Sequence, residues 1–355
     1  MGRLLPAGPA DQIYRNHRGS AAFVTDQFRG HGLQRSDNRM QKLYVLLNAK
    51  SGSVGALAGS PADLQVQLEN AGYEAIVDAD PDASFEERLN RAKASEADTI
   101  LAAGGDGTAT AAAGAAMESG KRLAILPLGT ANLLGRDLGL ALDPVAWMGQ
   151  LPTLVPHEID VGRVNGRIFL HKVAIGFVPD IAAARERLRD RKDLGAKLAF
   201  LGYAFRRIAR ARHFNIELTQ DDGKPHTDRV QALAVANNRY DEQLGHFFAR
   251  SQLDAGELTL YLLDHLTVVG SLRLGLGLFL GRWQDDVSLT VATAKAVTIG
   301  SRHKRVKVML DGEVEALQSP LTFEILPRAL TVMASPAIGA GHALDDPEAD
   351  QIADA

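Results

Sequence analysis

The chain of 355 residues is 46% hydrophobic and 23% charged, which is the length and composition of two globular domains and excludes a disordered or fibrous protein. Its 39 Lys and Arg stand against 43 Asp and Glu, a net charge of -4, so it is no polycation that binds nucleic acid through counterion release. With 0 Cys it has no disulfide, thiolate metal site or Cys nucleophile, and a reducing cytosol suits it. The longest apolar stretch, Val268 to Gly281, contains Arg273 and is too short to span a bilayer.

Residues 1–40 show no apolar period and no signal-peptide pattern, and they predict a flexible extension. Order begins with a buried strand, Leu43 to Leu47, which opens into the loop Asn48-Ala49-Lys50-Ser51-Gly52. A helix from Pro61 to Ala71, capped by Ser60, a strand over Glu74 to Val77 and a helix from Ser84 to Lys93 follow. The strand Thr99 to Ala102 runs into Gly104-Gly105-Asp106-Gly107-Thr108 and an Ala-rich helix to Glu118. The strand Leu123 to Pro127 opens into Leu128-Gly129-Thr130-Ala131-Asn132 and another helix. This alternation predicts a doubly wound parallel α/β sheet over residues 41–157, with ligands bound outside the carboxyl ends of its strands.

From about Glu158 short alternating runs take over, among them Arg167 to Phe177, Phe214 to Thr219, Arg229 to Ala236, Glu257 to Leu263, Ala296 to Gly300, Val306 to Leu310, Leu321 to Leu326 and Ala329 to Met333. They are interrupted by helical stretches near 182–212 and 266–282, and together they predict a β-rich second domain over 158–325. Residues 326–336 are expected to return to the first domain, and 337–355 to form an acidic flexible tail.

The Gly104–Thr108 loop carries the strongest chemical signal. A triphosphate needs converging backbone N–H groups, small side chains and a helix N-terminus. The three glycines, the Thr108 hydroxyl and the following helix supply these, and Asp106 among them makes sense if it organises Mg2+ directly or through water. A tight strand-to-helix turn is the plainer alternative. The Asn48–Gly52 loop suits nucleotide orientation, and Asn132 is either a ligand-facing amide or simply a helix cap. Far downstream, Asp311-Gly312-Glu313 reads either as a hairpin turn with an edge charge or as a carboxylate that takes a proton from an attacking hydroxyl. Spacing leaves both open.

Taken together, these loops, with Arg136 and Leu138-Gly139, resemble in order and spacing the diacylglycerol kinase catalytic-domain superfamily, whose bacterial lipid kinases are relatives of sphingosine kinase. The resemblance runs from about Lys42 to Ser335 and includes Ile159-Asp160-Val161-Gly162, Gly176-Phe177 and Asp254-Ala255-Gly256. It implies a Rossmann-like domain and a β-sandwich domain of the NAD kinase/diacylglycerol kinase type with the active site in the cleft between them. It further implies ATP and Mg2+ as co-substrates and phosphoryl transfer to a lipid hydroxyl, of diacylglycerol or sphingoid type. By the same resemblance Asn48, Ala49, Lys50, Ser51, Gly52, Gly104, Gly105, Asp106, Gly107, Thr108, Ala109, Thr110, Thr130 and Asn132 contact ATP. Asp106 organises the catalytic Mg2+, Asp311 is the general base and Glu313 assists the metal indirectly. NAD kinase and a catalytically silent lipid- or nucleotide-binding regulator are the alternatives.

The chain departs from the family pattern at several places. Leu133 stands where many members have Asp; Asp137, one turn on, reads as a surface residue rather than its replacement. Asp78 replaces a Thr near the expected phosphates. His171 or Lys172 replaces an Asn and reads as core or edge. Ala255 stands where some members bind a structural Mg2+, so that site near Asp254 is expected to be absent or altered. Only Gly245 remains of a Gly-rich stretch.

Leu194 to Arg212 and Val268 to Gly281 are apolar helices, the first with a basic end. The first is read either as packed on its own domain or as resting on an anionic bilayer, the second as buried or as lining the acyl-chain pocket. The expected partners are ATP and a lipid acceptor, with a homodimer left open, no nucleic acid, and a cytoplasmic location at the inner membrane face.

Overall fold

The computed structural model describes residues 42–48, 60–187, 194–242, 248–264, 268–280, 282–284 and 286–340. The expected extension over 1–40, the loop residues Ala49, Lys50, Ser51 and Gly52, Gly245 and the tail beyond residue 340 lie outside these.

Strand β1 (Lys42–Leu47), helix α1 (Pro61–Asn70), β2 (Glu74–Asp78), α2 (Phe85–Ala94), β3 (Thr99–Gly104), α3 (Asp106–Ser119) and β4 (Arg122–Pro127) form a parallel sheet in the order β2-β1-β3-β4. Local chemistry starts its helices: Ser60 caps α1, and Ser84 and Glu87 form a capping box on α2. The strands are buried throughout, apart from β2 at the edge, because α1 and α2 cover the sheet and α3 packs on β3 and β4. Two short helices, α4 (Leu133–Asp137) and α5 (Pro144–Gln150), follow.

The second half holds β5 (Val155–Val164), β6 (Arg167–Phe169), β7 (Lys172–Gly176), α6 (Val178–Arg187), α7 (Leu194–Ala209), β8 (Phe214–Gln220), β9 (His226–Val230) and β10 (Ala232–Asn237). After these come β11 (Leu258–Leu263), α8 (Val268–Leu280), β12 (Leu289–Ala294), β13 (Ala296–Gly300), β14 (Arg305–Leu310), β15 (Glu313–Gln318), β16 (Leu321–Ala334) and α9 (Ala337–Ala340). One antiparallel sheet runs β12-β11-β10-β7-β14-β15. The other is continuous with the parallel sheet, β4-β16-β13-β8-β9, with β5 on β16 and β6 on β5. Their facing sides bury Val164, Phe169, Ile216, Val297 and Phe323 against Val173, Ile175, Val235, Leu260 and Val308, an antiparallel β-sandwich beside an α/β domain.

Two runs expected as single strands are each divided between the sheets. Arg167 to Phe177 splits into β6 and β7, with Leu170 and His171 at the crossing, and Arg229 to Ala236 splits at Gln231 into β9 and β10. Conversely, the two short runs Leu321 to Leu326 and Ala329 to Met333 are one 14-residue strand. A register shift between Leu326 and Leu330 bends it, and Val332 at its far end pairs with Leu123 of β4. Asp160 pins the bend: its carboxylate accepts from the amides of Arg328 (2.8 Å) and Gly256 (2.6 Å).

Candidate active site

The carboxyl ends of β3 and β4 bring two glycine loops into contact. A Cβ on Gly129 would stand 2.5 Å from the Gly105 Cα, and one on Gly104 would stand 2.5 Å from the Thr108 hydroxyl oxygen. Only glycine allows these backbones to approach so closely. Thr108 is buried, and its hydroxyl accepts from the Asn48 side-chain amide at 3.1 Å, so Asn48, Gly104 and Thr108 form one connected unit. Ala109 is buried behind them, whereas Thr130 is exposed at the loop tip.

Asn132 occupies the N-cap position of α4 in a left-handed conformation, φ 47°, but its side chain makes no cap bond. It accepts from the Gly129 amide (2.8 Å) and donates to the Gly129 carbonyl (2.8 Å), holding the loop closed. The capping is done by Asp106, whose two oxygens accept from the amides of Asn132 (3.0 Å) and Leu133 (2.6 Å). Burial raises the Asp106 carboxyl pKa above the usual range despite these bonds.

Asp311 and Gly312, with φ 45° and 101°, form the two-residue turn between β14 and β15, so the hairpin reading is correct. The carboxylate nevertheless points inward. Leu170 and His171, where the chain leaves one sheet for the other, have amides with no strand partner. Asp311 accepts from them at 2.6 and 2.9 Å, and from Lys172 at 2.9 Å. The Thr110 hydroxyl of α3 donates to the same group at 3.3 Å. Burial of the carboxyl group outweighs the amides and pushes its pKa up.

Glu313 opens β15 and stands over α3: its Oε1 would be 2.9 Å from a Cβ on Gly107. Gly107, Thr110, Ala111 and Gly114, along one face of α3, thereby line a cavity of about 500 Å3 with Ile168, Leu310, Asp311 and Glu313 opposite. Of the expected site residues, Gly107, Thr110, Asp311 and Glu313 border this cavity. Asp106 caps α4 at the adjoining loop pair.

A second buried network adjoins Asp311. Asp137 is not at the surface but 6% exposed, and it accepts from Arg250 Nε (2.9 Å) and Nη2 (2.7 Å). Beside it, His171 Nε2 lies 3.1 Å away, while His171 Nδ1 lies 3.2 Å from the Tyr240 hydroxyl. The neutral ring with Nε2–H donating to Asp137 satisfies both contacts. Burial, then the Arg250 charge, pulls the His171 pKa down to about 4. Burial alone would raise Asp137, but Arg250 and His171 hold it below the usual carboxylate range. Lys172 lies with its ammonium 3.5 Å from the Phe248 ring centroid and 5.3 Å from that of Tyr240, and burial brings its pKa down to about 8.

One further departure from the family pattern, Asp78, takes on a structural role. Asp78 is buried and paired with Arg88 at 2.9 Å while accepting from the Tyr44 hydroxyl at 2.7 Å. Burial opposes its ionisation, yet these partners hold its pKa low. Asp254 lies 3.4 Å from Arg328.

Residues 42–164 match the family described as diacylglycerol kinase catalytic domain, and residues 173–334 match the YegS C-terminal NAD kinase beta sandwich-like domain. A protein of Pseudomonas syringae pv. syringae (strain B728a), named probable lipid kinase YegS-like, is 33% identical over 256 residues, 70% of this chain and 81% of its own. One of the same name from Pseudomonas syringae pv. tomato (strain ATCC BAA-871 / DC3000) is 33% identical over 296 residues, 81% and 93% of the two chains. A crystal structure of a diacylglycerol kinase from Bacillus anthracis str. Sterne shares the fold, with a TM-score of 0.60 at 19% identity over 85% of this chain and 100% of that one. With both halves matched in order and a relative one-third identical over most of its length, the chain belongs to the diacylglycerol kinase catalytic-domain family and is a kinase.

Proposed function

We propose that the protein transfers the γ-phosphoryl group of ATP to the hydroxyl of a lipid, a diacylglycerol or a sphingoid-like alcohol. The observation that carries this reading is the position of Asp311, a partly buried carboxylate on the wall of the cavity, across from the helix that follows the Gly104–Gly107 loop. The acceptor oxygen attacks the γ-phosphorus, the bond from that phosphorus to the ADP oxygen breaks, and the hydroxyl proton passes to Asp311. A carboxyl whose pKa is raised by burial suits that role.

A carboxylate offers about four lone-pair positions. The His171 and Lys172 amides occupy those of Oδ1, and the Leu170 amide and the Thr110 hydroxyl occupy those of Oδ2. The bond from Thr110 is the longest of the four, and its O–H can rotate. The acceptor hydroxyl therefore takes the place of Thr110 at Oδ2.

Mg2+, when bound with ATP, neutralises charge developing on the phosphoryl oxygens. Among the described residues no group of three or more His, Asp or Glu is placed to form a metal cage. The Asp106 carboxylate keeps acceptor capacity beyond its amide bonds, and Glu313 stands against the neighbouring Gly107. That donor set fits a cation arriving with the triphosphate, since Mg2+ takes one or two carboxylates and fills its shell with phosphate and water. Asn48, Gly104, Gly105, Gly107 and Thr130 complete the nucleotide side in this reading, while Thr108, Ala109 and Asn132 shape the loops rather than face the ligand.

The lipid would be reached from an anionic bilayer at the cytoplasmic face. No helix among the described residues is long and apolar enough to cross a membrane. The adjoining helices α7 and α8 leave Leu201, Phe205, Val269, Leu276 and Leu280 exposed. Arg206, Arg210 and Arg212 are exposed at the end of α7, and cations so placed contribute about 1 kcal/mol each at an anionic surface.

Labelled ATP offered with diacylglycerol, monoacylglycerol, sphingoid base, undecaprenol and NAD tests the assignment. Label in a lipid supports it. Label in NADP alone, or in no acceptor at all, would overturn it in favour of an NAD kinase or a silent regulator respectively.

A further inference from the structure

The crossing at Leu170–His171 is held from both sides. Its amides are fixed by Asp311. The Leu170 carbonyl accepts from Arg250 Nη1 at 2.7 Å and from the Asn237 side-chain amide at 3.2 Å, and the His171 carbonyl accepts from the Asn237 amide at 2.9 Å. Arg250 Nη1 also donates to the Asn237 carbonyl at 2.8 Å, so one guanidinium ties two backbone segments together. The rest of its fork is taken by Asp137 of α4, and the Arg250 amide donates to the same carboxylate at 3.1 Å. Both members are buried, with side chains 1% and 2% exposed.

At its other end α4 is capped by Asp106. A chain of hydrogen bonds therefore runs from the acid of the glycine loop, along five residues of α4, through Asp137 and Arg250, to the peptide that holds Asp311. We propose that Arg250, anchored by Asp137, is a positioning residue for phosphoryl transfer: it fixes the Leu170–His171 peptide against which Asp311 is oriented and ties it to the glycine-loop domain. The proposal rests on the reading of Asp311 as the base. It also assigns a use to Asp137 other than replacing the acid missing at Leu133. An arginine suits the task because its planar fork serves two carbonyls and a carboxylate at once, which an ammonium does not.

Arg250→Met and the double variant Asp137→Asn/Arg250→Met, in the full chain, test it. Removing Arg250 alone strands a buried carboxylate, whereas the double variant does not, so the double variant regains most of the lost melting temperature. The expected result is that kcat remains about 10- to 100-fold down in both, with KM for ATP within about 2-fold of the parent. Hydrogen exchange at the Leu170, His171 and Lys172 amides rises about 10-fold or more, while Val173 and Ala174 stay protected.

Recovery of kcat together with stability in the double variant would show the pair to be structural only and overturn the proposal. Unchanged exchange at 170–172 in a folded variant would do the same. Asp311→Asn, assayed alongside, separates the two levels. If it turns over normally the base assignment fails, and the exchange data still decide whether Arg250 holds the crossing.

Discussion

The Thr110 hydroxyl donates to the Asp311 carboxylate at 3.3 Å across 201 residues of sequence. This bond joins the second turn of α3 to the β14–β15 turn and puts the helix after the glycine loop in direct contact with the proposed base. Asp311 is fixed before any substrate arrives, as catalysis by positioning requires.

Asp311→Asn is expected to lower turnover about 10²- to 10⁴-fold, the usual worth of a general base. ATP affinity, read by calorimetry, should stay within about 3-fold. An amide NH2 set against backbone N–H donors costs about 1–3 kcal/mol of stability, so the assay belongs at a temperature where the variant is folded.

The glycine contacts predict a graded series. Gly129→Ala drives a methyl into the Gly105 backbone and should cost about 1–3 kcal/mol and at least about 10-fold in ATP affinity. Gly107→Ala meets only the mobile end of Glu313 and should cost under about 1 kcal/mol. Gly149, exposed in α5 with open space around it, should be neutral or gain about 0.5–1 kcal/mol as Ala. Urea melts of the three variants check the order; equal losses at Gly129 and Gly107 would contradict it.

Stability should fall on acidification. His171 titrates near 4 in the folded chain against 6.5 for the free side chain, so between those values the unfolded chain binds a proton that the native chain refuses. Stability is therefore full above about pH 6.5 and declines as the pH falls toward 4, by about 3 kcal/mol at 1.36 kcal/mol per unit. Asp137 and Asp78, held low, lose their contributions further down, as the pH drops below the free carboxylate value near 3.8 and through their folded ones. Melting curves at pH 7 and 4.5 should show the first loss, and His171→Gln should flatten it.

Leu201→Asp/Phe205→Asp should reduce sedimentation with anionic vesicles several-fold while leaving ATP binding intact, since both side chains are exposed on α7 away from the glycine loops. Undiminished sedimentation would locate membrane contact elsewhere.

The nucleotide half was legible because its logic is local. Strands β3 and β4 end in loops whose glycines are required by contacts a few residues away or in the next loop, as with Gly104, Gly105 and Gly129. The fold of the second half was legible as β-rich, but its pairing was not. Nothing in the run from Arg167 to Phe177 marks the point where the chain changes sheets, because strand alternation is the same on either side. Asp137 and Arg250 stand 113 residues apart, and a single long-range ion pair leaves no period in the sequence. Asp137 therefore read as an ordinary helix-surface acid. The turn at Asp311 left two readings because the residue pattern fixes only the backbone: the hairpin is made as expected, while the carboxylate meets the crossing, a contact that no spacing marks.

The pairing of Val332 with Leu123 has a bearing on how the chain comes to be folded. β16 is the last strand among the described residues, and it closes the exposed side of β4 while also lying between β5 and β13. During synthesis the first four strands must wait with an open edge until residue 334 has left the ribosome. The two lobes are thus finished together by one late segment, and a chain cut short before it would leave both incomplete.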